Sequence, residues 1–143
     1  MIVISYRRDD SEAVTGRIFD RLTQAFGKEA IFRDIDSIPA GTDFREYIGS
    51  VLRQSELLVV IVGSRWLGRT RSNRTRIDDP TDLVRVEVET ALETNLPVIP
   101  VLVGNARMPD AARLPESLQP FASRNALKVD SGQDFDNHIN RLI

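Results

Sequence analysis

The chain has 143 residues, 41% hydrophobic and 28% charged, which fits one globular domain with a single core. Its formal net charge is −2, so no overall field draws it to nucleic acid or to an anionic membrane, although arginines outnumber lysines 17 to 2. Cysteine is absent and His138 is the only histidine, which excludes disulfides, thiolate or histidine-rich metal sites and a cysteine nucleophile.

The elements follow in alternation. "MIVISY" (1–6) reads as a first strand, and a helix follows from Ser11 as N-cap, with Val14, Ile18, Leu22 and Phe26 as its apolar stripe. "EAIFRD" (29–34) reads as a short second strand, "DSIPAGTDF" (36–44) as a Pro/Gly loop and "DFREYIGSVLRQ" as the next helix. "ELLVVIVG" (56–63) is apolar almost throughout, as a strand buried on both faces is. A long polar stretch (64–82) precedes a helix over 83–95. "LPVIPVLVG" (96–104) is a fourth strand, "LPESLQPF" (114–121) a short helical turn, "NALKVD" (125–130) a fifth strand, and "QDFDNHINRLI" the start of a last helix. This order predicts an α/β fold: a flavodoxin-like, doubly wound, five-stranded parallel sheet with helices on both faces. Ligands of such sheets bind beyond the C-terminal strand ends, where strand order switches. Residues 1–143 form one domain. A chain that begins inside a strand and ends in a helix is expected to be excised from a longer, multidomain protein. No apolar run is long enough to span a bilayer and no signal-peptide pattern precedes the first strand, so a cytoplasmic, reducing location is expected.

Familiar ligand signatures are missing. There is no G-x-G-x-x-G after the first strand, no G-x-x-x-x-G-K-[ST], and no aspartate at the end of strand three. What remains are scattered candidates. In "VRVEVETALE" (84–93), Val84, Val88, Ala91 and Leu92 share a stripe, Glu89 and Glu93 point away, and Glu87 lies at the edge. It is either an ordinary border residue or a carboxylate aimed into a site. Arg7 and Arg8 end the first strand, placed either to fork around a phosphate or to pair with Asp9, Asp10 or Asp34. Asp34 and Asp36 suit ribose hydroxyls or turn geometry. Phe44 suits the core or a stacked base. Arg65, Arg69, Arg71, Arg74 and Arg76 are answered by Asp78, Asp79 and Asp82, which reads as a solvated, self-neutralising loop and not a nucleic-acid surface. His138 reads as structural.

Four stretches in register carry a resemblance. "VISYRRDDS", "IFRDIDSIPAGTDF", "LLVVIVGSRWL" and "DDPTDLVRVEVETAL" with "LPVIPVLV" resemble the first strand, the second strand with its BB loop, the third strand, and the αC helix with the fourth strand of a TIR domain (Toll/interleukin-1 receptor homology) of the bacterial kind. The resemblance spans essentially the whole chain. It implies an NAD⁺ glycohydrolase or cyclase that cleaves the nicotinamide–ribose bond, giving ADP-ribose or a cyclic form. NAD⁺ is then a substrate, and no cofactor or metal is expected.

The family's catalytic glutamate, in an E-[IV]-x-x-A-L context, falls on Glu87 in "EVETAL". Arg7, Arg8, Asp34 and Phe44 become site-lining positions, with Trp66 as a further ring. Asp36, Ser37, Ile38, Pro39, Ala40 and Gly41 become the BB loop used in assembly. Leu83 stands where some relatives carry Trp, which leaves rate and product open.

Nicotinamide departs neutral, so the chemistry needs no general acid. A carboxylate near the ribose hydroxyls stabilises the oxocarbenium-like charge at C1′. The implied partners are NAD⁺, further copies of the domain, and a sensor or regulatory module in the parent protein, with an antiviral or other immune role. No nucleic acid or membrane is expected as a partner. The competing expectation is a non-catalytic TIR–TIR interaction module, and a third is a nucleotide sensor without turnover.

Overall fold

The computed structural model describes residues 1–33, 38–68, 74–130 and 132–143. Five strands, β1 (Ile2–Ser5), β2 (Ile31–Phe32), β3 (Leu57–Val62), β4 (Val98–Val103) and β5 (Leu127–Val129), form one sheet in the order β2-β1-β3-β4-β5, every pair parallel. This is the doubly wound order expected from the sequence. Chain direction across the sheet reverses between β1 and β3.

Alternation along the strands sorts two cores. Val3, Leu58, Val60 and Val62 face helices α2 (Phe44–Arg53) and α3 (Leu83–Glu93), burying Ile48, Leu52, Val84, Val88 and Ala91. Ile4, Val59, Ile61 and Val101 face α1 (Arg8–Phe26) and α4 (Phe135–Leu142), burying Ile18, Leu22, Phe135 and Ile139. Among the described residues no helix is long and apolar enough to cross a membrane.

The sequence reading and the structure differ in places. β1 and β2 are shorter than read, and β2 keeps only two residues, as suits an edge strand of modest pairing. A short turn, Arg8 to Asp10, precedes the helix start read at Ser11. Ser11 (φ −149°, ψ 24°) is non-helical and the long helix follows it as expected, but its hydroxyl caps no amide. Pro100 lies inside β4, an interior strand of the sheet, where proline usually removes a ladder bond. Here it does not. The bond from Leu58 N–H to the Pro97 carbonyl turns alternate residues of β4 toward β3 and points the Pro100 nitrogen toward β5. Pairing with β5 begins only at Val101 opposite Leu127, so no partner loses a donor.

Helices α2 and α3 begin on aspartates. Asp43 accepts from the Arg45 and Glu46 amides, and Asp82 from the Arg85 amide. Each such cap stabilises its helix by about 1 kcal/mol.

Candidate functional site

A cleft of about 470 Å³ opens at the C-terminal strand ends on both sides of the β1/β3 switch. Its walls come from Tyr6 to Asp9 after β1, Arg33 after β2, Arg76, Asp79 and Thr81 before α3, and Asp82, Leu83, Val84 and Glu87 at the start of α3. This is where a doubly wound sheet leaves room for a ligand, because the chains leaving β1 and β3 diverge there.

Glu87 is only 2% exposed. The border reading therefore fails in one respect: α3 is buried on two sides, against the sheet and against neighbouring helical segments, and Val86 and Glu87 are enclosed along with the expected stripe. Ser5, the last residue of β1, donates its hydroxyl to Glu87 Oε1 at 3.2 Å. Enclosing a carboxylate is costly, so a glutamate kept in the wall of a cleft invites a functional explanation. Glu89, read as solvated, instead accepts from Ser117 Oγ and lies 3.4 Å from Arg85 Nε. Glu93 is exposed.

Arg7 is buried as well. Its Nη1 and Nη2 donate to the two carboxylate oxygens of Asp82 at 2.8 and 2.6 Å, and its Nε donates to the Trp66 carbonyl. Arg8 is exposed at the cleft. Arg33 adds a further cation to the cleft wall, with its guanidinium 4.6 Å from the centre of the Phe19 ring. Asp10 links the same two strand exits: its carboxylate accepts from the Gly63 and Arg65 amides at 2.9 and 2.8 Å.

Asp79 forms a tight turn, accepting from the Thr81 amide and hydroxyl at 2.9 and 2.8 Å. Those bonds, the amide first, and the nearby Arg85 charge hold its carboxyl below the ordinary carboxylate range.

The other sequence candidates fall elsewhere. Phe44 is half-buried at the start of α2, packed on the α2/α3 core with the Arg45 guanidinium over its ring, and does not line the cleft. Trp66 is 1% exposed and stacks on Phe121 with ring centres 5.2 Å apart; it borders a different cavity, beside Met108 and Pro109. Ile38 is half-buried, while Pro39, Ala40 and Gly41 are exposed in a turn closed by the Thr42 amide on the Pro39 carbonyl, with Gly41 at φ +83°. Asp34, Asp36 and Ser37 lie outside the described residues, as do Arg69 and Arg71.

The aspartates before α3 do not simply neutralise the arginine loop. Asp82 takes Arg7, Asp79 takes Thr81 and Asp78 accepts from Thr75, while Arg76 reaches Asp9 at 3.3 Å. His138 is structural: its Nδ1 accepts from the Asp130 amide.

Sequence reasoning missed Ser5, Arg33 and Asp82 as parts of this site. Ser5 carried a signal, since it shares a strand face with Val3, and that face meets α3. Asp82 carried another, as an aspartate immediately before an apolar helical pattern.

Comparison with known proteins agrees with the fold. No curated protein matches the sequence. Among solved structures, the TIR domains of the activated Roq1 resistosome that directly recognizes the pathogen effector XopQ superpose with a TM-score of 0.67 at 13% identity, over 99% of this chain and 95% of that one. A model of the TIR domain family matches residues 2–143, and with the sheet order and the cleft at its switch point this chain belongs to the TIR domain family.

Proposed function

We propose that the domain cleaves NAD⁺ at the nicotinamide–ribose bond, with Glu87 as the catalytic carboxylate. The observation that carries this reading is the placement of Glu87: nearly enclosed, held by Ser5, on the wall of the cleft at the strand switch. The cleft volume of about 470 Å³ falls in the range used by small-molecule ligands.

The nicotinamide of NAD⁺ is a cationic leaving group that departs neutral with the electron pair of the broken C1′–N bond. No acid has to protonate it. Positive charge develops at C1′ and the ring oxygen, and a fixed carboxylate beside the ribose stabilises that charge. Water attacking C1′ yields ADP-ribose and releases one proton; capture by a group of the same molecule yields a cyclic product. Arg8 and Arg33 are the cleft cations suited to the pyrophosphate, and Leu83 supplies an apolar wall. Asp34 remains a proposed ribose contact, and Phe44 and Trp66 remain proposed ring contacts that would require rearrangement or a second copy.

The exposed turn at Pro39, Ala40 and Gly41 favours a second reading, a TIR–TIR interaction module. The similarity to domains of a resistosome supports self-association as part of either reading. Control by a sensor module in a parent protein is part of the proposal. Incubating NAD⁺ with the domain at high concentration, then separating the products, tests the proposal. Nicotinamide with ADP-ribose or a cyclic isomer supports the enzyme. Intact NAD⁺, with self-association of the domain, supports the interaction module.

A further inference from the structure

We propose that Arg7 is a positioning residue, which with Asp82 sets where α3 presents Glu87, and that it is not a ligand of the pyrophosphate. The inference rests on the reading of Glu87 as catalytic.

Arg7 has five N–H groups, and three are engaged inside the fold: Nε on the Trp66 carbonyl, Nη1 and Nη2 on the two oxygens of Asp82. The paired side chains are 0% and 5% exposed. One guanidinium thus joins three segments: the exit of β1, the exit of β3, and the N-cap of α3. Asp82 is itself the cap, accepting from the Arg85 amide while its carbonyl takes the Val86 amide. Moving Arg7 therefore moves the first turn of the helix.

The second contact between the same two elements is Ser5 on Glu87. Two residues of strand, Ser5 to Arg7, span roughly 6.6 Å at 3.3 Å per residue. Five residues of helix, Glu87 back to Asp82, span roughly 7.5 Å at 1.5 Å per residue. The near match makes the two contacts successive rungs between a strand and the helix that runs back along it. With only the Ser5 rung, α3 could pivot about it. With both, the Glu87 carboxylate has a fixed place relative to the end of β1, where the cleft begins. A planar, bidentate fork does this, and a lysine ammonium, a point charge, does not.

The test compares the parent with Arg7→Lys and Asp82→Asn, measuring kcat and KM for NAD⁺ cleavage together with amide exchange of Arg85 and Val86. Circular dichroism melts establish that each variant is folded, and Asp82→Asn keeps a capping oxygen if Arg7→Lys folds poorly. The expected result is a kcat lowered by at least about 10-fold, with KM within about twofold and faster exchange at both amides. A raised KM with kcat kept would make Arg7 a substrate ligand and overturn the inference. If the parent itself leaves NAD⁺ intact, the proposed function fails; the positioning role then stands or falls on exchange, and unchanged protection in both variants would overturn it.

Discussion

Ser5 Oγ and Glu87 Oε1 lie 82 residues apart in sequence and 3.2 Å apart in space, and both residues are at most 2% exposed. The bond links the end of β1 to the second turn of α3, beside the strand switch. A hydroxyl donor here holds one carboxylate oxygen in a fixed direction.

Replacing Ser5 by Ala removes that donor without adding bulk. A hydrogen bond to a charged group contributes about 1.5–3 kcal/mol. If the bond holds the carboxylate in its reactive direction, kcat for NAD⁺ cleavage should fall by at least about 10-fold, since about 1.4 kcal/mol is tenfold in rate. Steady-state kinetics measure it; an unchanged kcat would mean that Glu87 does not depend on Ser5 for its orientation.

Glu87→Gln tests whether the carboxylate serves the fold. Amide and carboxylate have nearly the same shape, and the variant need not bury a charge. Its melting midpoint should equal or exceed that of the parent. A fall of more than about 3 °C, roughly 1 kcal/mol for a domain of this size, would mark Glu87 as a structural residue.

Gly63→Ala should destabilise the domain. An added Cβ would sit 2.4–2.6 Å from the Asp10 carboxylate, the group that accepts from the Gly63 and Arg65 amides. Either the carboxylate moves and both bonds are lost, or the β3 exit shifts. A loss of about 1–3 kcal/mol in denaturant unfolding is expected, and a midpoint equal to that of the parent would contradict the clamp.

Asp79 gives a pH signature. Its Thr81 bonds favour the ionised form, so its folded-state pKa is depressed relative to the unfolded chain. The associated stabilisation is present above the unfolded value and disappears as pH falls through the lower, folded one. An NMR titration of the side-chain carboxyl should give a pKa below that of a free aspartate, and Thr81→Val should move it back up. An ordinary value in the parent would contradict the assigned turn.

Much of the fold was legible because its signals are periodic. β3 is apolar throughout since both faces are covered, and the α2 and α3 starts carry aspartate caps. Ser11 marked the start of the long helix, but the turn Arg8 to Asp10 ahead of it carries no apolar period and so was not legible. The helical wheel of α3 placed Glu87 at an edge, but a wheel assumes a single buried face. The Glu87 edge is covered by the end of β1, where Ser5 bonds it, while the helical segment at 116–123 packs on the side that carries Glu89. The Arg7–Asp82 pair was hidden because its members are 75 residues apart, and local charge patterns offered nearer partners to both. Trp66 looked available as a ring for a ligand because it follows a strand exit; Phe121, which stacks on it, comes from a distant segment.

Nicotinamide release from NAD⁺ by concentrated domain, parent against Glu87→Ala, is the most direct test of the central claim. If the Glu87 carboxylate stabilises the charge at C1′, release should be present in the parent and reduced at least about 100-fold in the variant, with its fold retained. Equal release from both proteins would remove Glu87 from the chemistry and contradict the site.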